Sequence, residues 1–174
     1  MSSLQAAPRL VNLRLHPIKS LDPISVPEAR ISHSGGLELD RAWALYSVDG
    51  KWVNGKRTAA IHLIRANYSP DLRSVVLSVP GDRRGIPTRR FAFPDAHEDA
   101  AEWFSVYFEQ QIIVSYSEDG FPDDTVASGP TIVSTASLQA VEGAQHSVVA
   151  NVLAPALRQF ALDQHDATSQ TQGH

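Results

Sequence analysis

The alternation of apolar and polar positions is sharpest between Gly36 and Val53. From Leu39 onward, one face reads Leu39, Arg41, Trp43 and Leu45, and the other Asp40, Ala42, Ala44 and Tyr46. A repeat of this kind predicts a strand with one largely apolar face. Gly35-Gly36 supplies the backbone freedom to enter it. Asp49-Gly50 predicts a type I′ hairpin turn, in which both central residues take positive φ, and Lys51-Trp52-Val53 starts the return strand. Arg41 is the charged exception on the apolar face. A guanidinium there is either paired internally or aimed at an anion.

Weaker alternation predicts strands over Arg9–Leu15 and Ile24–Ile31. Pro17 ends the first, and Pro27 places the second at an edge or bulge. Further strands are expected over Ile61–Ala66, Ser74–Val79, Phe91–Phe93, Ile112–Tyr116 and Thr131–Val133. The clearest helix runs from about 96 to 110, where Ala100, Trp103, Phe104, Tyr107 and Phe108 recur at helical spacing. Asp95 with Glu98 three residues on reads as its N-cap and capping box. A short helix near 135–142 follows, capped by Ser134 or Thr135 and ending near Gly143. Val148–Phe160 is apolar but holds Pro155, which would kink or split a helix. Residues 163–174 are polar and read as a disordered tail. Strands first and helices later argue for a mainly β to α+β fold rather than alternating βαβ units.

Length and composition narrow the classes. A chain of 174 residues suits one domain or two closely packed lobes. A net charge of −4 argues against general nucleic-acid binding, which needs a basic footprint. No cysteine is present, so disulfides, thiolate metal sites and a cysteine nucleophile are excluded for these residues. No run of roughly 18 apolar residues suggests a membrane span, and the start of the chain lacks the basic and apolar regions of a signal peptide. A cytoplasmic location is the expectation.

Most sites that carry chemistry are missing. The seven histidines His16, His33, His62, His97, His146, His165 and His174 form neither His-x-His nor His-Glu-x-x-His, so they read as surface or structural, with no metal site. Neither a nucleophile elbow, a Walker loop nor a dinucleotide fingerprint appears. The acids Glu118, Asp119, Asp123 and Asp124 do not have EF-hand spacing and read as a solvated loop. Arg83-Arg84 and Arg89-Arg90 form either a solvated hairpin tip or a phosphate contact. What remains is a scattered set of anion-binding candidates: Lys19 and Ser20 after Pro17, Arg41, Arg57 past the next turn, and Ser134, Thr135 and Ser137 at a helix N-terminus. Basic donors and free N–H groups at a helix start are what a phosphate-bearing ligand needs.

Six motifs in register resemble the MOSC family. His16-Pro17-Ile18-Lys19-Ser20-Leu21 resembles its (Y/H)P(I/V)KS opening, and Gly36-Leu37-Glu38-Leu39-Asp40-Arg41-Ala42-Trp43 its GL..DR.W segment. Asp49-Gly50 with Lys56-Arg57, Trp103-Phe104, Phe121-Pro122-Asp123-Asp124 and Ser134-Thr135-Ala136-Ser137-Leu138 complete the likeness, from about residue 9 to 143. The family includes the C-terminal domain of molybdenum cofactor sulfurases and the amidoxime-reducing components. The resemblance implies a β-barrel-like N-terminal domain over 9–93, a partial and diverged MOSC domain start over 94–162, and the tail beyond. It also implies a molybdenum-cofactor oxidoreductase or sulfur carrier, the cofactor being a molybdopterin with a phosphate. Carried over, Lys19, Ser20 and Arg41 hold that phosphate, and Ser134 and Ser137 match a cofactor-side segment.

The later family segments FRPN and ED.W, and the cysteine that ligates molybdenum or carries sulfur, have no counterpart here. The expectation is therefore a truncated or degenerate relative with impaired catalysis. The alternative is a non-catalytic binding module for a phosphate-bearing ligand or a partner protein. Expected partners are a phosphate-bearing small molecule, a redox partner protein and a second copy of the chain, with neither nucleic acid nor membrane.

Overall fold

The computed structural model describes residues 9–122 and 130–144. Strands β1 (Leu13–Leu15), β2 (Ile24–Val26) and β3 (Trp43–Ser47) come first. A 3₁₀ turn (Ala59–Leu63) precedes β4 (Arg65–Tyr68), β5 (Ser74–Ser78) and β6 (Arg89–Ala92). Helix α1 (His97–Phe108), β7 (Ile112–Tyr116) and helix α2 (Thr135–Ala144) follow. The strands form antiparallel ladders β1-β2, β3-β7 and β4-β5-β6, three separate sheets among the described residues rather than one closed ladder. The mainly β to α+β expectation matches this element order.

Strand β3 sits at the centre. Its register with β7 runs from Trp43 opposite Tyr116 to Ser47 opposite Ile112. Its other side takes Ile18 in a parallel bridge and Trp52 in an antiparallel one. Covered along both edges, it buries Trp43, Ala44 and Leu45 in succession. The core then gathers Val75, Leu77 and Phe91 from the three-stranded sheet and Ala100, Trp103, Phe104 and Tyr107 from α1. Each large apolar side chain in it contributes about 1.5–3 kcal/mol by leaving water. Residues on both sides of position 93 share this core. Two hydrogen bonds tie α1 to loops: Trp103 Nε1 donates to the Pro87 carbonyl at 2.7 Å, and the Tyr107 hydroxyl to that of Ala60 at 2.8 Å.

Several sequence expectations need correction. The strand expected from Leu39 starts only at Trp43. Leu39 and Arg41 have φ of 65° and 52°, which breaks the alternation and takes Arg41 off the apolar face. The hairpin turn is not type I′, because only Gly50 has positive φ, at 75°. Gly50 N–H bonds the Ser47 carbonyl at 2.9 Å and Ser47 N–H that of Lys51 at 3.0 Å, a three-residue loop closed by a left-handed glycine. Ile61–Ala66 is not one strand. Ile61 and Ile64 are both buried three residues apart, the spacing of a 3₁₀ turn, and β4 begins after it.

Helix α1 is capped by Ala96 without a side-chain hydrogen bond, so Asp95 is not its cap. Glu98 and Asp99 in its first turn still suit the dipole. At the other end Glu109 takes the left-handed conformation, and Arg84 donates to the Tyr107 carbonyl at 3.0 Å. Thr131–Val133 forms no strand: Ile132 is 85% exposed, and among the described residues no strand pairs with it. Ser134 is the cap of α2, its Oγ accepting the Ser137 N–H at 3.0 Å. The expectations for Val148–Phe160 and the 163–174 tail lie outside the described residues.

Candidate anion-binding site

The two motif segments that carry Lys19 and Arg41 are zipped together. Arg41 N–H donates to the His16 carbonyl at 2.8 Å, Trp43 N–H to that of Pro17 at 3.0 Å, and Lys19 N–H to that of Trp43 at 2.8 Å. Asp40 locks the entry: Oδ1 accepts the His16 N–H and Oδ2 the Arg41 Nε, both at 2.8 Å. The pairing explains why Arg41 leaves the strand pattern, since its positive φ turns the chain into this ladder. Below, the Tyr68 hydroxyl accepts the Ile18 N–H at 3.4 Å. Burial pushes the Tyr68 phenol above its ordinary range, so it stays neutral.

Lys19 is a buried cation, 6% exposed. Its ammonium lies 5.2 Å from the Trp52 ring centroid and donates to the Pro122 carbonyl. An ammonium over an indole face is attracted by the ring quadrupole, which offsets part of its lost hydration. Trp52 is placed by the return strand opposite Tyr46, with ring centroids 4.4 Å apart. Phe121 meets both rings edge-on, at 6.1 Å from Tyr46 and 5.7 Å from Trp52. Its N–H donates to the Arg41 carbonyl at 2.8 Å. The Arg41 and Asp40 side chains are 15% and 13% exposed. Lys19 and Arg41 therefore stand on adjoining segments, largely withdrawn from water, where a fixed cation attracts an anion more strongly than on an open surface.

The other candidates lie elsewhere. Ser20 is half-buried beside Lys19, with φ of 69°. Arg57 is exposed on a turn held by Asn54, whose Oδ1 accepts the Lys56 and Arg57 N–H groups at 3.2 and 3.1 Å. Ser134 and Ser137 bond each other at 2.9 Å at the exposed start of α2. No hydrogen bond or ion pair among the described residues joins Arg57, Ser134 or Ser137 to the Lys19 and Arg41 segments. Sequence reasoning did not assign Trp52 or the Pro122 carbonyl to the site. The signal for Trp52 was its place on the return strand, two residues past the Asp49-Gly50 turn.

A shallow cleft of about 500 Å³ opens elsewhere, lined by Trp43, Pro94, Asp95, His97, Val114 and Tyr116. Ring contacts close its floor: Trp43 lies 4.7 Å from Phe93 and 4.8 Å from Tyr116, and is 7% exposed. With a carboxylate on its wall and neither lysine nor arginine, it does not suit phosphate. Among the described residues no group of three His, Cys, Asp or Glu could hold a metal ion, and no helix is long and apolar enough to cross a membrane.

The family model of the MOSC N-terminal beta barrel domain matches residues 7–111. That span is more than half of the chain and takes in both zipped segments, and the protein belongs to this family. No curated protein and no solved structure matches it.

Proposed function

We propose that this chain is a molybdenum-cofactor-related binding module that grips the phosphate of its ligand with Lys19 and Arg41. One observation carries the reading: the ladder between His16–Lys19 and Arg41–Trp43 sets a buried ammonium and a largely buried guanidinium on adjoining segments. Ammonium and guanidinium groups make charge-assisted hydrogen bonds to an oxyanion that are about twice as strong as neutral ones. The phosphate end of a molybdopterin suits this donor set. Its metal end finds no thiolate among these 174 residues. Lys19 and Arg41 would hold the phosphate, and the pterin-bound metal would supply the redox chemistry.

Binding without turnover is favoured over an oxidoreductase or sulfur carrier by that lack of cysteine, since neither a thiolate ligand nor a persulfide can form on this chain. The test is elemental analysis for molybdenum together with pterin fluorescence, on protein purified from a host that makes the cofactor. Pterin retained by the wild type and lost in Lys19→Ala supports the module. Pterin absent from both, with no affinity for inorganic pyrophosphate, removes it.

A further inference from the structure

Strand β7 pairs with β3 alone, so its outer edge is open among the described residues. The hydrogen-bond phase of the ladder fixes which groups that edge offers. On β3, Trp43, Leu45 and Ser47 turn their backbone groups away from β7: Trp43 bonds Pro17 and Lys19, Leu45 accepts from Val53, and Ser47 donates to Lys51. Their partners in the register are Tyr116, Val114 and Ile112. In an antiparallel pair, residues opposite each other in this phase point their N–H and C=O groups outward on both strands. Ser105 Oγ accepts the Ile112 N–H at 2.9 Å. The N–H and C=O groups of Val114 and Tyr116 meet no hydrogen-bond partner among the described residues. Strand edges are commonly blunted by lysine, proline or a bulge. Ile112–Tyr116 has none of these, and its register with β3 is unbroken.

The cleft of Trp43, Pro94, Asp95, His97, Val114 and Tyr116 lies along this edge. Trp43, Val114 and Tyr116 share one face of the ladder. A strand added to β7 would therefore send the side chains level with Val114 and Tyr116 toward the cleft, from the same residues that make the main-chain bonds. The charge of the cleft selects among such strands. The Asp95 carboxylate is exposed, and no hydrogen bond or ion pair among the described residues engages it. His97 donates through Nδ1 to the Pro94 carbonyl at 3.0 Å, which leaves Nε2 of the neutral ring as an acceptor. Glu98 follows on α1, and Glu118 and Asp119 follow β7.

We propose that the outer edge of β7 accepts an extended segment of a partner protein as an added strand, with a basic side chain of that segment entering the cleft beside Asp95. Main-chain bonds to Val114 and Tyr116 hold such a segment, and the cleft reads its alternate side chains. A basic side chain meets the carboxylate there and the Tyr116 ring beside it. A second copy of the chain fits less well. Pairing β7 with itself about Val114 sets the end carrying Glu118 and Asp119 against the end of the other copy that carries Glu109, and like charges opposed across strands are destabilising.

The experiment follows amide hydrogen exchange along β7 in the full chain, alone and with an excess of the blocked pentapeptide Thr-Val-Arg-Val-Thr. The control peptide carries glutamate in place of arginine. In the free chain, Val114 and Tyr116 are expected to exchange at least tenfold faster than Ile113 and Ser115, whose amides bond β3. The arginine peptide is expected to slow Val114 and Tyr116 at least tenfold, and to bind at least tenfold more tightly than the glutamate peptide by calorimetry. Asp95→Asn, at an exposed position, is expected to cut that preference at least threefold. Exchange at Val114 and Tyr116 that stays fast with the arginine peptide in excess overturns the proposal, as does an undiminished preference in Asp95→Asn. Slow exchange in the free chain also overturns it: slowing that grows with protein concentration assigns the edge to a second copy, and slowing independent of concentration assigns it to the chain itself.

Discussion

The Asp40 carboxylate accepts the backbone N–H of His16, 24 residues away in the chain, at 2.8 Å. The same carboxylate holds the Arg41 guanidinium with its second oxygen. One side chain therefore fixes both the register of the zipped segments and the direction of the cation. Asp40→Ala is expected to destabilise the fold by about 2–3 kcal/mol, the range for losing hydrogen bonds to a charged group. Asp40→Asn keeps an acceptor for His16 and is expected to lose about half as much. Urea unfolding measures both, and a loss below about 0.5 kcal/mol for Asp40→Ala would sink the idea that Asp40 ties the segments.

Gly120 separates backbone strain from crowding. Its φ is +75°, and an added Cβ would meet the Asp40 carbonyl oxygen at 2.6 Å. Gly81 has nearly the same φ, +76°, with nothing within 4 Å of an added Cβ. Gly81→Ala bears only the left-handed strain, about 1 kcal/mol. Gly120→Ala must also push the Gly120 backbone away from the Asp40 carbonyl, and is expected to lose about 2–3 kcal/mol. Thermal melts of the two variants, run side by side, check the ordering. Equal losses would show that the contact with the Asp40 carbonyl relaxes at little cost.

Local pattern made some elements legible and left others hidden. Val75 and Leu77 are buried and alternate with half-buried neighbours, so β5 was readable from period two. Trp103, Phe104 and Tyr107 gave α1 by its apolar stripe. Arg41 misled the strand reading because its conformation answers to His16 and not to its sequence neighbours. A positive φ at an arginine has no local signal. Likewise, Ile61 and Ile64 read equally well as part of a strand until the core shows them buried three residues apart. Of the site candidates, Lys19 and Arg41 were visible as cations in motifs. Their adjacency depends on a ladder between distant segments, which periodicity does not report.

The basic loop between β5 and β6 divides its arginines. Arg84 is 45% exposed, yet it donates to the Tyr107 carbonyl and lies 4.8 Å from the Tyr107 ring centroid. Asp82 accepts from its Nε at 2.8 Å, which holds the Asp82 carboxyl below its ordinary range. A cation at a helix C-terminus is favoured by the dipole, and one over a ring by its quadrupole. Arg84→Ala is expected to lower stability measurably, whereas exposed Arg83→Ala stays close to wild type. Chemical denaturation of the pair tests whether the loop docks on α1 or simply projects into water.

Acid sensitivity should show at the β3 hairpin. The Lys51 ammonium, then the Ser47 hydroxyl, hold the Asp49 carboxyl down at about 2. Because the folded value lies below that of the unfolded chain, about 3.9, the contribution is present above that unfolded value. It is lost as pH falls toward 2. Asp49 is exposed, so salt screens the effect. Asp49→Asn is expected to flatten the stability profile between about pH 4 and 2 relative to wild type, with the difference shrinking in 0.5 M salt. Stability curves that keep the same slope in this window would remove Asp49 as a source of it.

The two basic positions Arg41 and Lys56 give the sharpest contrast for ligand binding. The Arg41 side chain is 15% exposed and aligned by Asp40 beside the Lys19 segment, while Lys56 sits on the exposed Asn54 turn. A phosphate contact made by a guanidinium shielded from water is worth about 1.5–3 kcal/mol, or roughly tenfold to hundredfold in affinity. An exposed lysine contributes up to about 1 kcal/mol, and salt erodes it. Calorimetric titration with inorganic pyrophosphate is expected to show at least tenfold weaker binding for Arg41→Ala. Lys56→Ala is expected to weaken it less than about fivefold, with the deficit fading in 0.3 M salt. Equal small effects for the two variants would place Arg41 in the scaffold alone, as the partner of Asp40, and leave Lys19 as the group whose removal must then be measured.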